Sequence, residues 1–259
     1  MAQIDVPLTR AGFGQTSRVD NWWVVPLVVF LGFSTFIVYS TWAALQGNHY
    51  EFGPYLSPFY SPLIFGPSPH AWLAQRPAFV PAWVSAAMLI LWAPGGFRFT
   101  CYYYRGAYYK AFWSDPPSCA VGEPRKRYLG ERSFPLIVQN IHRYFLYLAV
   151  LFIVLLAADV WRAFDFDGHF GIGVGTLVLL ANVVLLSCYT FGCHSMRHIV
   201  GGVKDRLSGS PVRKEAYGCV SCLNRRHMLF AWCSLFSVGF SDLYIRMCSM
   251  GVWTDWRIL

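Results

Sequence analysis

Long uncharged stretches alternate with basic segments along this chain. Three stretches lack Asp, Glu, Lys and Arg and reach the ~20 residues needed to cross a ~30 Å hydrocarbon core: residues 21–50, 77–97 and 168–196. Two further stretches are apolar over most of their length but contain charges: residues 134–158, with Arg143, and residues 227–252, with Asp242 and Arg246. The pattern therefore predicts an all-α integral membrane protein, a bundle of five transmembrane helices.

The composition supports a membrane protein and excludes most other classes. Of the 259 residues, 56% are hydrophobic and 13% charged, whereas a soluble domain carries about a quarter charged residues. The formal net charge of +8 would suggest nucleic acid only if the basic residues formed one stripe. They are divided between separate segments, so we expect no nucleic-acid partner.

The distribution of basic residues predicts the orientation, because cytoplasmic loops are rich in Lys and Arg. Segments 98–134 and 197–226 contain seven basic residues each and are predicted to be cytoplasmic loops. Residues 1–20 would then be a cytoplasmic tail and residues 21–259 the membrane anchor domain, with the C-terminus outside. Segment 47–77 is rich in proline and aromatic residues, which predicts an extended or turned cap at the outer interface.

Cysteine and histidine residues collect at the predicted cytoplasmic ends of several helices. The candidate ligands are Cys101, Cys119, Cys193, His142, His194 and His198. His194 and His198 are four residues apart and share one helix face, the spacing by which two imidazoles reach one metal. Ligand-type residues at membrane depth are costly and are functional candidates. The pattern predicts a metal or redox centre, and the alternative is that these side chains only pack and form hydrogen bonds.

The remaining cysteines carry less information. Cys188, Cys233 and Cys248 lie inside apolar runs and are predicted to be small core residues. Cys219 and Cys222 form one Cys-x-x-Cys pair without a second pair, so they are a weak zinc motif. His227 begins the last apolar stretch and is a reserve ligand, expected to cap its helix.

Several motifs taken together resemble the membrane-anchor subunit of actinobacterial-type succinate dehydrogenase, respiratory complex II. The resemblance extends from the first predicted helix to the C-terminus. Its motifs are Arg98-Phe-Thr-Cys101-Tyr-Tyr-Tyr-Arg105, Asp115-Pro-Pro-Ser-Cys119-Ala, Gln139-Asn-Ile-His142-Arg143, Gly192-Cys193-His194-Ser-Met-Arg197-His198 and Leu223-Asn-Arg-Arg-His227.

The resemblance implies a multi-pass subunit of the plasma membrane that docks a flavoprotein subunit and an iron–sulfur subunit on its cytoplasmic face. Such a subunit passes their electrons to a membrane quinone in the respiratory chain, next to the tricarboxylic acid cycle. It is therefore part of a succinate:quinone oxidoreductase, and we expect no succinate site in this chain.

The motifs pair cysteine with histidine, the composition of a Rieske-type [2Fe–2S] cluster. Among the candidates we rank Cys101, His142 and His198 first. Haem b is the alternative cofactor, limited to one haem near the inner surface because His49, His70 and His169 fall in or beside outer loops. A cofactor-free structural anchor also remains open. A transporter is disfavoured because the predicted midplane is almost wholly apolar.

A quinone headgroup needs aromatic walls and a hydrogen-bond donor. Tyr104 and Trp113 offer walls or donors, and Arg105 offers a charge that would stabilise a reduced, partly anionic quinone. The alternative is that these residues form an interfacial belt, where Tyr, Trp and Arg also gather.

Overall fold

The computed structural model describes residues 12–125, 132–134, 136–202, 206 and 209–259. Lys126, Arg127 and Lys204, which contribute to the two predicted cytoplasmic loops, lie outside the described residues. The chain divides into two compact units. The first contains residues 1–35 and 101–139, and the second contains residues 36–100 and 140–259.

The fold is mostly helical, as predicted. Its helices are α1 Val24–Gln46, α2 Ala86–Ile90, α3 Trp92–Phe99, α4 Tyr102–Trp113, α5 His142–Arg162, α6 Val174–Phe191, α7 His194–Gly201, α8 Pro211–Arg225 and α9 His227–Ser249. Two short antiparallel hairpins are formed by β1 Glu51–Phe52 with β2 Tyr55–Leu56, and by β3 Asp165–Phe166 with β4 His169–Phe170. Short 3-10 helices cover Pro58–Tyr60 and Leu136–Ile141.

Four helices in the described part of the chain are long and apolar enough to cross a membrane: Val24–Gln46, Leu136–Arg162, Val174–Phe191 and His227–Ser249. They correspond to four of the five predicted spans. The fifth, residues 77–97, contains only the short helices α2 and α3. The predicted count of five spans is therefore not confirmed.

Local chemistry explains why residues 77–97 do not form one long helix. Pro77 and Pro81 lie in turns, and proline cannot donate a main-chain hydrogen bond within a helix. The first helical turn starts only after Ser85, whose side chain accepts a hydrogen bond from the Met88 amide at 3.3 Å. Leu91 joins α2 to α3; its backbone keeps right-handed helical angles, and its N–H donates to the Ala87 carbonyl oxygen.

The predicted cap over residues 47–77 contains the first hairpin and a 3-10 turn, but residues 55–63 are buried rather than spread over an interface. Their hydroxyl groups reach acceptors inside the second unit. Ser57 donates to Asp242, Ser61 donates to Asp159, and the Tyr60 hydroxyl donates to the Ala43 carbonyl oxygen at 2.9 Å. These bonds allow a polar loop to be buried, because each hydroxyl is paired.

The second unit has two chemically different ends. One, which we call the histidine end, carries His142 at the start of α5, Cys193 after α6 and His227 at the start of α9. The other, the hairpin end, carries both hairpins. There Asp255 of the C-terminal segment accepts hydrogen bonds from Tyr55, Tyr244 and the Gly175 amide, at 2.7–2.8 Å.

The first unit joins the N-terminal segment to the residues that follow α4. Gly14 donates to the Gly122 carbonyl oxygen at 2.9 Å, and the Arg18 guanidinium donates to the Cys119 carbonyl oxygen, also at 2.9 Å. The predicted cytoplasmic loops are partly helical, since α4 lies in segment 98–134 and α8 lies in segment 197–226.

Candidate functional site

A histidine and a cysteine from different elements meet at the histidine end. His142 Nε2 lies 3.0 Å from Cys193 Sγ, and both side chains are buried. The contact is a hydrogen bond between a thiol and an imidazole. It brings together one nitrogen and one sulfur ligand from segments 51 residues apart in the chain.

Thr100 sets the tautomer of His142. The Thr100 hydroxyl donates to the Gly96 carbonyl oxygen at 2.8 Å and lies 2.7 Å from His142 Nδ1. Because the hydroxyl proton is assigned to Gly96, Nδ1 is the donor in the second contact and carries the imidazole proton. Nε2 is then left with a lone pair directed at Cys193. Fixing a ligand histidine through its other nitrogen is a common arrangement in metal sites.

Four rings form a continuous stack across the histidine end. Phe97 lies parallel to His142, with ring centroids 4.7 Å apart, and contacts Tyr189 edge-on at 5.5 Å. Tyr189 in turn stacks on His227 at 4.9 Å. The Arg98 guanidinium covers the Tyr189 ring at 4.8 Å and donates to Ser234. The stack fixes the plane of the His142 ring.

The turn between α6 and α7 positions Cys193. Gly192 precedes it, and a Cβ at Gly192 would lie 2.7 Å from the Cys188 carbonyl oxygen, so a larger residue does not fit. Asn224 of α8 donates to the Gly192 carbonyl oxygen at 2.8 Å. Cys193 is the N-cap residue of α7 and has extended backbone angles, which turn the chain away from α6.

The other predicted histidine ligands lie on α7 and are exposed. His198 Nδ1 is 2.7 Å from Arg143 Nη2. A guanidinium can only donate, so Nδ1 is the acceptor and the neutral ring carries its proton on Nε2. The accepting nitrogen of His198 thus faces a cation, whereas Nε2 of His142 faces the Cys193 thiol. His194 begins α7 directly after Cys193.

The two remaining cysteine candidates belong to the first unit. Cys101 is buried and is the N-cap residue of α4. It follows Thr100 directly in the chain. Cys119 is exposed and lies in the segment that contacts Arg18. Within the residues that the structure describes, no three His, Cys, Asp or Glu side chains lie close enough together to hold a metal ion.

The predicted quinone residues lie on α4, in the first unit. Tyr104 is buried against Phe33, edge-on at 5.0 Å, and the Arg105 guanidinium covers the Tyr102 ring at 4.9 Å. Trp113 packs edge-on against Tyr108 at 5.2 Å. Burial raises the pKa of Tyr108, whose hydroxyl accepts a hydrogen bond from Gln139 at 3.0 Å.

The second unit also encloses an apolar cavity of about 160 Å³ beside the ring stack. Phe97, Arg98 and Tyr189 border it toward the histidine end, and Pro58 and Phe59 of the buried loop border it farther along. Sequence reasoning missed Thr100 and Phe97 as neighbours of His142, and Tyr189 as the ring between Phe97 and His227 in the stack. Thr100 lies in the motif that begins at Arg98, and Phe97 directly precedes that motif, but their contacts depend on how α3 packs on α5.

Comparisons with known proteins agree with one another. Residues 24–251 match the family described as actinobacterial succinate dehydrogenase subunit SdhC. A chain of the Mycobacterium smegmatis Sdh1 complex, solved in the apo form, is 42% identical, with a TM-score of 0.88 over 97% of each chain. No curated protein matches the chain. The chain is therefore a membrane subunit of a succinate dehydrogenase complex, and it belongs to the actinobacterial succinate dehydrogenase SdhC family.

Proposed function

We propose that this subunit passes electrons from the iron–sulfur subunit of its complex to a membrane quinone through a Rieske-type [2Fe–2S] cluster, with His142 and Cys193 among the ligands. The observation that carries the proposal is the buried contact between His142 Nε2 and Cys193 Sγ. When bound, such a cluster transfers one electron at a time. Replacing two cysteines by histidines on one iron raises the reduction potential from about −400 mV to roughly −150 to +300 mV, a range that suits donation to a quinone.

The chemistry of the residues present fits half of the required ligand set. Cys193 supplies a sulfur, and His142 supplies a nitrogen whose lone pair is fixed by Thr100. The S···N distance of 3.0 Å is that of a direct hydrogen bond, so both groups would lose this contact on binding iron. We propose His194, which directly follows Cys193, as the second imidazole, and Cys101 remains the thiolate that the sequence ranks first. His198 is the weaker candidate because Arg143 contacts its Nδ1.

Haem b is the alternative cofactor, and the arrangement around His142 supports it less. A haem with two histidine ligands needs two imidazoles that face each other across the iron. Instead, an aromatic ring stacks on each of these two imidazoles, Phe97 on His142 and Tyr189 on His227. The group beside His142 Nε2 is a thiol, which favours iron–sulfur chemistry.

For the docking of partners we propose the orientation that the basic residues indicate. Segments 98–134 and 197–226 would face the cytoplasm and bind the iron–sulfur and flavoprotein subunits, with the N-terminus inside and the C-terminus outside the plasma membrane. The exposed basic residues of α8, including Lys214 and Arg225, support this because they give one helix of the second unit a cationic surface.

For the quinone we propose the α4 site, with Arg105 as the charged group and Tyr104 and Trp113 as ring neighbours. The cavity beside the ring stack is a second candidate, since Arg98 and Tyr189 border it and most of its remaining walls are apolar. Two variants distinguish these candidate sites. Arg105→Leu should impair quinone reduction if quinone binds at α4, and Arg98→Leu should do so if quinone binds in the cavity.

Paired variants of the purified complex test the ligand assignment. We expect His142→Gln and Cys193→Ser each to lose the EPR signal of the additional cluster and its share of iron and acid-labile sulfide. The matched controls are His198→Gln, at an exposed histidine, and Cys188→Ser, at a thiol within α6; both should retain the signal. Succinate oxidation with a soluble acceptor verifies that every complex has assembled. A full signal in His142→Gln would overturn the assignment.

A further inference from the structure

The hairpin end of the second unit contains a large cavity that the proposed electron transfer does not use. Its volume is about 590 Å³, within the range of small-molecule sites, roughly 300–1,000 Å³. It opens between the C-terminal end of α1, the segment after the first hairpin and the start of α2. Its walls include Leu45, Tyr50, Phe65, Arg76, Trp83 and Ala86.

Arg76 is the cation at this cavity. Its Nη1 donates to the Ala82 carbonyl oxygen and, at 3.3 Å, to the Pro81 carbonyl oxygen, and the guanidinium covers the Phe65 ring at 5.2 Å. Among the described residues no carboxylate pairs with it. Glu51, the acidic residue of this segment, does not line the cavity and accepts a hydrogen bond from Ser68. The charge of Arg76 is therefore available to an anion.

The surroundings of Arg76 indicate the depth of the cavity in a membrane. Four large apolar side chains near it in sequence are exposed: Trp72, Leu73, Phe79 and Trp83. Exposed tryptophan and phenylalanine beside an arginine are typical of the level of lipid headgroups. The apolar helix α1 ends at Gln46, which also lines the cavity, so the cavity lies where a candidate membrane span ends.

We propose that this cavity binds one anionic phospholipid, with the phosphate at Arg76 and the start of an acyl chain against Phe65, Leu45 and Trp83. Arginine suits this role because its planar guanidinium donates two parallel hydrogen bonds to phosphate oxygens. The backbone carbonyls of Pro81 and Ala82 hold Nη1, which leaves Nη2 and Nε for the ligand. The stacked rings of Tyr50 and Tyr60, with centroids 4.4 Å apart, form a rigid wall.

Lipid binding to the purified succinate dehydrogenase complex tests the proposal. The complex is stripped of lipid in detergent and titrated with phosphatidylglycerol or with phosphatidylcholine, and bound lipid is counted by native mass spectrometry. We expect phosphatidylglycerol to bind more tightly than phosphatidylcholine. Arg76→Gln should weaken the tightest phosphatidylglycerol binding about tenfold, because it removes a charge-assisted hydrogen-bond pair.

Arg257→Gln is the matched control. Arg257 also covers a phenylalanine ring, Phe166, at 4.5 Å and donates to a main-chain carbonyl oxygen, but it lines none of the described cavities. Its variant should bind phosphatidylglycerol like the unmodified complex. A second variant, Ala74→Phe, narrows the cavity and keeps Arg76. It should also weaken phosphatidylglycerol binding, and it replaces Arg76→Gln as the test if the complex with that variant does not assemble.

Three results would overturn the proposal. Unchanged phosphatidylglycerol affinity in both Arg76→Gln and Ala74→Phe would show that the lipid does not bind here. Displacement of the lipid by millimolar inorganic phosphate would indicate a site for free phosphate. Polypeptide density of a partner subunit in the cavity of the assembled complex would identify it as a protein interface.

Discussion

Removal of the Asp242 carboxylate should strongly destabilise the subunit. Asp242 is fully buried in α9 and accepts hydrogen bonds from Ser57, from the Tyr39 hydroxyl at 2.6 Å and from Arg246 Nε at 3.3 Å. Arg246 also donates to the Asn48 carbonyl oxygen at 2.9 Å. The cluster thus ties α1, α9 and the buried loop together at the hairpin end.

Asp242→Ala leaves the Arg246 charge buried without its partner, which costs about 3–5 kcal/mol in comparable pairs. For a chain of this size that corresponds to a fall in melting temperature of roughly 6–20 °C. The double variant Asp242→Ala with Arg246→Leu removes both charges and should be more stable than Asp242→Ala alone, by about 2 kcal/mol.

Melting is followed by fluorescence-detected size-exclusion chromatography of the purified complex at one heating rate, because unfolding of such complexes is commonly irreversible. Asp165→Ala is the control: Asp165 lies in the exposed second hairpin, and its loss should shift melting by only a few degrees. The two charges are not coupled, and the reasoning is wrong, if adding Arg246→Leu to Asp242→Ala lowers the melting temperature as much as Arg246→Leu does in the unmodified complex.

Three further predictions address packing, the quinone and orientation. Gly96→Ala should lower the melting temperature, since its Cβ would lie 2.2 Å from Phe145 Cε1 and overpacking costs about 1–3 kcal/mol; Gly95→Ala, with open space at its Cβ, should not. Arg105→Leu should slow quinone reduction about tenfold or more and leave succinate oxidation with a soluble acceptor intact, whereas equal loss of both would assign Arg105 to subunit assembly. Thr254→Cys, in the exposed C-terminal segment, should be labelled by an impermeant maleimide in intact cells above the background of the native thiols, and labelling only after permeabilisation would reverse the orientation.

The length of the uncharged, apolar stretches predicted most of the fold, because a membrane span is recognised by its length and apolar composition. Four spans were located in this way. The segment of residues 77–97 has the same composition, yet two prolines and the Ser85 cap delay its helix, so composition alone did not locate where the helix begins. The burial of residues 55–63 could not be read from the sequence either, because it depends on Asp242 and Asp159, which are distant in the chain.

The candidate site was predictable as a set of residue types but not as a geometry. The sequence predicts Cys193 and His142 on the same side of the membrane, and the structure brings them into contact. The sequence ranks His142 and His198 equally, and the preference proposed for His142 rests on Thr100 and Arg143, which contact the two rings differently. Such neighbours are set by the packing of one helix on another, which the order of residue types in the sequence does not predict.

Low-temperature EPR of the purified complex decides whether it carries the cluster, with the reduced state recorded for a [2Fe–2S] signal and the oxidised state for a low-spin haem signal. We expect a [2Fe–2S] signal of the Rieske type in addition to those of the iron–sulfur subunit, present in the unmodified complex and lost in Cys193→Ser. A complex with no such additional signal, or with a low-spin haem signal that disappears in His142→Gln, would contradict it.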